Sequence, residues 1–383
     1  MWIFIFCVIV ALLFTYKILI WQPARAQLPQ DVACSERHAI QTADGIVLTL
    51  YRYRPETAPR MKYPLIMCHG MSVNRFHFDN GSDISIARYF QKAGFDVWLL
   101  ELRGCGNSTP PPLLIPDQRF TFDHYVRHDV PDAIEYVRQK TKAEKVHWLG
   151  HSLGGMVFYG YVTLFGDDPI ASATLIASAV DFSMWTTPNR RLYWKLFYYF
   201  CCLLPSVPHR YFTRAFFPII PWLMKKWPYP PGLMKIINGD NLSRLQLWQF
   251  FYNALSNLPR GLVLQSIRWV AEGDLKSVDG RHHYLEGARK LRCPLLIVAS
   301  KGDVSIPIRT IQPGYDYALS EDKQFKILEP TRPEHAILGH ADMIYSYASY
   351  TEFFPFLRAW VAKRDSDWKI KPHKDQEKME VPS

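Results

Sequence analysis

The hexapeptide Gly150-His151-Ser152-Leu153-Gly154-Gly155 constrains this chain more than any other stretch. It joins the β-rich run Lys145–Leu149 to an apolar helical run ending near Phe165. A strand that turns at once into a helix needs tiny flanking residues, because the two backbones approach closely. The turn lifts the Ser152 hydroxyl off the sheet edge, and the helix N-terminus beneath it favours developing negative charge. The motif therefore predicts a sheet whose strands are followed by helices, and a nucleophilic serine on it.

The rest of the chain agrees. Short β-branched or apolar runs at Ile46–Arg54, Pro64–Cys68, Phe95–Leu100, Lys145–Leu149, Ile170–Ser178, Leu295–Ala299 and Phe325–Leu328 read as strands. Helical stretches fall at Ile84–Ala93, Asp123–Lys142 and Phe353–Lys363. The alternation argues for an α/β fold with a mostly parallel sheet.

A serine hydroxyl needs a base, and the base needs a carboxylate to orient it. In folds with such a serine turn these follow in the order Ser, Asp or Glu, His. Asp303 follows the strand LLIVAS, and His340 follows the last strand in Leu338-Gly339-His340-Ala341-Asp342. Asp181 competes as the acid and His335 as the base. Asp342 reads as a capping or loop-bracing carboxylate. His69-Gly70-Met71 follows the strand PLIMC. The N–H groups of Met71 and Leu153 would form an oxyanion hole, with His69 and Gly70 shaping the loop. The Cys and His residues have no metal-binding spacing, so neither a metal nor an organic cofactor is expected.

Charge is concentrated in one segment. Residues 186–290 hold 15 Lys and Arg against 5 Asp and Glu, whereas the remainder is balanced at 30 each. Residues 193–252 also carry 17 aromatic side chains in 60 positions, broken by prolines into several short helices. Rings and cations interleaved in this way suit a lipid surface. They also suit packing onto a core, with the charges as a solvated face. A chain bearing an exposed serine nucleophile has no use for nucleic acid, and no such partner is expected.

Residues 1–26 read as an N-terminal membrane anchor or signal segment. Ala24-Arg25-Ala26 offers a cleavage site. The basic residues Lys17 and Arg25 lie on the C-terminal side, however, and the positive start of a signal peptide is missing. The expectation is membrane association through this single N-terminal segment, with a secreted or lumenal protein after cleavage near Ala26 as the alternative. Residues 35–182 and 291–363 are expected to form the core, 183–290 a helical basic and aromatic lid, and 364–383 a flexible tail.

Over about residues 35–363 the chain resembles the α/β-hydrolases, and within them the acid-lipase group of lysosomal and gastric lipases. The matching stretches are FDVWLLELRG (95–104), FDHYVRHDVPDAIEYV (122–137), the GHS turn and His340-Ala341-Asp342-Met343-Ile344. The turn reads GHSLGG, whereas that group has GHSQG. Asp303 sits in a GDxxxP setting typical of the wider superfamily. The resemblance implies an eight-stranded, mostly parallel sheet flanked by helices, with a helical lid inserted between strands six and seven. It also implies a serine esterase with Ser152 as nucleophile, Asp303 as acid, His340 as base, and Met71 and Leu153 as oxyanion donors. The expected activity is hydrolysis of a lipid carboxylic ester at or near a membrane, met through the N-terminal segment and residues 193–252. An acyltransferase with the same triad and a serine aminopeptidase-type hydrolase are the alternatives.

Overall fold

The structure, a computed structural model, describes residues 10, 12–56, 60–108, 120–185, 188–203, 209–226, 237–329 and 337–365. Eight strands form one sheet: β1 (Glu36–Gln41), β2 (Val47–Tyr53), β3 (Leu65–Cys68), β4 (Val97–Glu101), β5 (Val146–His151), β6 (Ile170–Ile176), β7 (Leu295–Ser300) and β8 (Lys323–Leu328). Their spatial order is β1-β2-β4-β3-β5-β6-β7-β8. β1 pairs antiparallel with β2, and β2 antiparallel with β4; every other pairing is parallel. The eight-stranded, mostly parallel sheet is thus the one expected.

β3 to β7 are buried along their whole length, as strands covered on both faces must be. On one face Trp98, Leu100 and Trp148 pack with the helices Val130–Thr141 and Leu153–Phe165. On the other, Val97, Leu99 and Leu149 pack with the helices Ile86–Lys92 and Phe354–Ala362. Edge strand β1 was not among the expected strands. Its inward-leaning face carries Glu36 and His38 beside Ile40, the first two hydrogen-bonded to each other at 2.8 Å next to Arg52, while Arg37, Ala39 and Gln41 are exposed, so it lacks an apolar run.

The helix expected over 123–142 is present with one irregularity. It opens at Phe122, passes through a π turn at Tyr125–Asp129 and continues as Val130–Thr141. Pro131 has no N–H to donate to the preceding turn, which suits the widened turn ahead of it. Asp129, in that turn, accepts bonds from the Arg103 backbone N–H (2.9 Å) and Nε (2.7 Å). Arg103 also reaches Asp44 with Nη2 at 2.9 Å. This buried cluster ties together two of the stretches that carry the family resemblance.

Between β6 and β7 the chain forms the helices Pro188–Leu203, His209–Phe216, Ile220–Lys226, Arg244–Gln249, Arg260–Glu272 and Leu285–Lys290.

The N-terminal expectation requires correction. Among the described residues no helix is long and apolar enough to cross a membrane, which overturns a single N-terminal anchor. The physical reason lies in where the described part of the segment goes. Trp21 Nε1 donates to the Arg214 carbonyl at 2.8 Å, and its ring meets Phe217 and Tyr252 edge-on. Ala24 and Leu28 are buried in the same cluster. Lys17 and Arg25 stand over the rings of Trp21 and Tyr252. Trp21, Ala24 and Leu28 are therefore held by protein contacts.

Candidate active site

β5 delivers Ser152 by the tight turn its glycines suggest. Ser152 has φ 54° and ψ −117°, a left-handed conformation that a side-chain-bearing residue adopts only where its surroundings enforce it. They do so here. The Ser152 N–H donates to the Ile176 carbonyl at 2.7 Å. A Cβ on Gly154 would lie 2.0 Å from the Cys68 carbonyl oxygen, and one on Gly150 would lie 2.4 Å from the Gly154 oxygen. Only glycine fits between β3, β5 and the helix Leu153–Phe165. Among the described residues Ser152 Oγ has no hydrogen-bond partner. It is free to turn toward either His340 or an incoming carbonyl.

His340 and Asp303 come from the loops after β8 and β7. His340 Nδ1 lies 2.6 Å from Asp303 Oδ2. The other carboxylate oxygen accepts the N–H groups of Ser305 (2.8 Å) and Ile306 (3.0 Å), which fixes the carboxylate plane. The rival Asp181 instead caps its own turn, accepting from the Ser183 N–H at 2.8 Å. The rival His335 lies outside the described residues. Asp342 braces the His340 loop. It accepts from the Gly339 N–H (2.8 Å), the Asn238 N–H (3.1 Å) and Asn241 Nδ2 (2.6 Å), so the inserted segment helps to hold that loop.

Gly70 and Met71 follow β3, and Leu153 opens the helix after the serine, where its N–H has no carbonyl a turn earlier to bond. His69 staples this loop. Its Nδ1 donates to the Gly70 carbonyl at 2.8 Å, and its Nε2 accepts from the Leu102 N–H at 3.2 Å. Burial pushes its pKa down to about 4, so the ring is neutral in this role.

These groups face one cavity of about 330 Å³, which includes Gly70, Met71, Ser152, Leu153 and His340 in its lining. The walls are apolar. Met156 and Phe182 come from the core, and Phe250, Leu255, Trp269 and Val270 from the inserted segment. No Asp or Glu among the described residues lines it. No sequence pattern singles out these wall residues; only Phe250 falls in the aromatic-rich stretch 193–252. His77 and His151 were also missed. They are buried beside the site, and His151 was seen only as a spacer in the serine turn.

Residues 63–231 match the family described as the alpha/beta hydrolase fold. Among curated proteins, Lipase 1 of Drosophila melanogaster is 31% identical over 153 residues, 38% of this chain and 34% of that protein. Triacylglycerol lipase 2 of Arabidopsis thaliana is 29% identical over 40% of this chain and 39% of its own length. Gastric triacylglycerol lipase of Mus musculus is 33% identical over 31% and 33%. The chain thus spans between a third and two fifths of the length of these relatives. Among solved structures, a thermophilic esterase from Thermogutta terrifontis superposes with a TM-score of 0.56 at 16% identity, covering 87% of this chain and all of that one. An Exiguobacterium antarcticum esterase gives a TM-score of 0.55 at 15% identity, covering 85% and 99%. At such identities the structural likeness speaks for the fold.

Proposed function

This chain is an α/β-hydrolase of lipase-like sequence, and from that premise we propose that it is a serine hydrolase of lipid carboxylic esters. One observation carries the reading: His340, held 2.6 Å from Asp303, shares an apolar cavity with the unbonded hydroxyl of Ser152. Ser152 Oγ attacks the ester carbonyl while His340 Nε2 takes its proton. Asp303 holds the other ring nitrogen and balances the imidazolium that forms. The N–H groups of Met71 and Leu153 receive the developing oxyanion. His340 then protonates the departing alcohol, leaving an acyl group on Ser152, and a water activated by His340 releases the acid.

The lining favours an ester with an apolar acyl chain. An aminopeptidase-type reading would need an acidic group to hold a free amino terminus, and none of the described lining residues is acidic. Contact with a lipid aggregate falls, in this proposal, to the exposed side chains Leu192, Leu196, Tyr199 and Phe200, which recur at helical spacing on Pro188–Leu203.

The test is turnover of p-nitrophenyl acyl esters. Ser152→Ala is expected to abolish it with the fold intact by circular dichroism, and retained turnover would overturn the assignment. Adding an alcohol acceptor separates the two fates of the acyl group. Free acid as the product fits a hydrolase, whereas a new ester as the main product marks an acyltransferase.

A further inference from the structure

The strand that delivers Ser152 also reaches the base. His151, the last residue of β5, is buried beside the serine, and its Nε2 lies 3.0 Å from the backbone carbonyl of His340. Burial drives the His151 ring below the usual histidine range, so it is neutral and holds one ring hydrogen. A carbonyl only accepts, so Nε2 carries that hydrogen. His151 Nδ1 is then a lone pair, and it lies 3.2 Å from Nε2 of the buried His77. His77 Nε2 must therefore be a donor. The hydrogen bonds run one way, from His77 to His151 to the carbonyl of the base.

The other contacts of the base come from elsewhere. Asp303, after β7, holds its ring, and Asp342 ties the neighbouring Gly339 to Asn238 and Asn241 of the inserted segment. Neither contact fixes how far the base stands from the serine. His151 does, because it adjoins Ser152 in the chain and meets His340 through a single bond. Its ring also backs the loop after β3, where a Cβ on Gly70 would lie 3.2 Å from His151 Nδ1. Packing alone does not account for the pair. His77 Nδ1 is buried with no hydrogen-bond partner among the described residues, and an unmet buried acceptor costs stability.

Resting on the ester-hydrolase reading, we propose that His151 is a positioning residue for the base, and that His77 serves it by fixing its tautomer. The bond to the His340 carbonyl sets the approach of His340 Nε2 to Ser152 Oγ, and proton transfer between them requires hydrogen-bond reach. With its hydrogen on Nδ1 instead, His151 would turn a bare Nε2 toward the carbonyl oxygen, and two lone pairs repel. The His77 N–H excludes that state, because it would then face a second N–H.

Two substitutions of equal length test this in the full chain. His151→Gln keeps an N–H donor near the place of Nε2, whereas His151→Met has the same reach and no donor. On a p-nitrophenyl ester, His151→Met is expected to lower kcat about 10²-fold with KM within about twofold, and His151→Gln to recover at least about tenfold of that loss. Equal kcat in the two folded variants overturns the proposal and spares the ester-hydrolase reading, and so does a loss that falls on KM. The wild type supplies a readout that needs no variant to fold. Ring nitrogen shifts at neutral pH should show His77 and His151 both as the neutral tautomer with hydrogen on Nε2. Hydrogen on Nδ1 of either ring would overturn the chain of bonds. A wild type that cleaves no such ester overturns the ester-hydrolase reading and the positioning role with it.

Discussion

The two halves of the site are built by different rules. The half on the sheet edge places individual atoms. The Asp303 carboxylate is met by His340, Ser305 and Ile306, His69 is bonded at both nitrogens, and Ser152 is held in a left-handed turn that only its glycine neighbours permit. The half from the inserted segment places bulk. Phe250, Leu255, Trp269 and Val270 present apolar surface, and Trp269 Nε1 is satisfied by the Lys276 carbonyl at 2.8 Å. Chemistry depends on atoms held to a fraction of an ångström, whereas excluding water depends on bulk that many side chains supply.

The contrast predicts that small changes on the sheet-edge half have the larger effects. Asp303→Asn alters one atom and keeps the shape. It replaces an acceptor with an amide, which can favour the wrong His340 tautomer and cannot balance the imidazolium. A loss of about 10³–10⁴ in kcat is expected, with little change in KM. Stopped-flow or steady-state rates on a p-nitrophenyl ester measure it. A loss of tenfold or less would mean that the acid is elsewhere, and the comparison would fail on its stronger side.

The same contrast explains what could be read from the sequence. Gly150, Gly154 and Gly155 are legible because any side chain there would collide, with backbone at Gly150 and Gly154 and with the Ser178 side chain at Gly155, so the motif reports its own geometry. Asp303 is legible because it follows a buried apolar strand, which places it at the sheet edge, and His340 because it comes after the last strand, in the chain order Ser, Asp, His. β1 is not legible, because an edge strand with Glu36 and His38 on its half-buried face and Arg37 and Gln41 exposed lacks the apolar run that marks β3 to β7. Phe250 and Trp269 are not legible as wall residues, since nothing distinguishes an aromatic facing a cavity from one packing a core. His77 is invisible for a different reason. Its place beside the site rests on a bond to His151, 74 residues away. The N-terminal segment misled because apolar composition alone does not fix helix length, and the end of the run, Trp21 and Ala24, packs on protein.

A second difference is that buried titratable groups are concentrated on the sheet-edge half. His69 and His77 are pushed down to about 4 and about 3, and burial drives His151 below the usual histidine range. The unfolded chain takes up these protons near pH 6.5 and the folded chain does not, so their contribution to stability is lost as pH falls through that value. Asp129 and Asp342, each raised by burial to about 6, act oppositely and offset part of the loss between about pH 6 and 4. The net expectation is a loss on the order of a few kcal/mol between pH 7.5 and 5.5. Calorimetry across that range measures it as a falling Tm. A flat profile in the wild type would show that the buried histidines are not neutral in the fold.

The smallest effect belongs to the outer face of the inserted segment, where the comparison can be sharpened. Leu196 is 62% and Tyr199 is 67% exposed, on a helix whose other side packs against Arg260–Glu272. Neither residue is in the cavity lining, so converting both to Ser removes apolar surface without touching the reacting atoms. On a short, water-soluble ester the double variant should match the wild type within about twofold, since exposed substitutions away from a site cost little. On an emulsified long-chain ester, activity should fall several-fold, because partition to the droplet scales with the apolar area it can bury. Equal loss on both substrates would assign these side chains to holding the segment in place. No loss on either would leave the charges and rings of residues 193–252 as a solvated cover, and would confine recognition of the ester to the cavity.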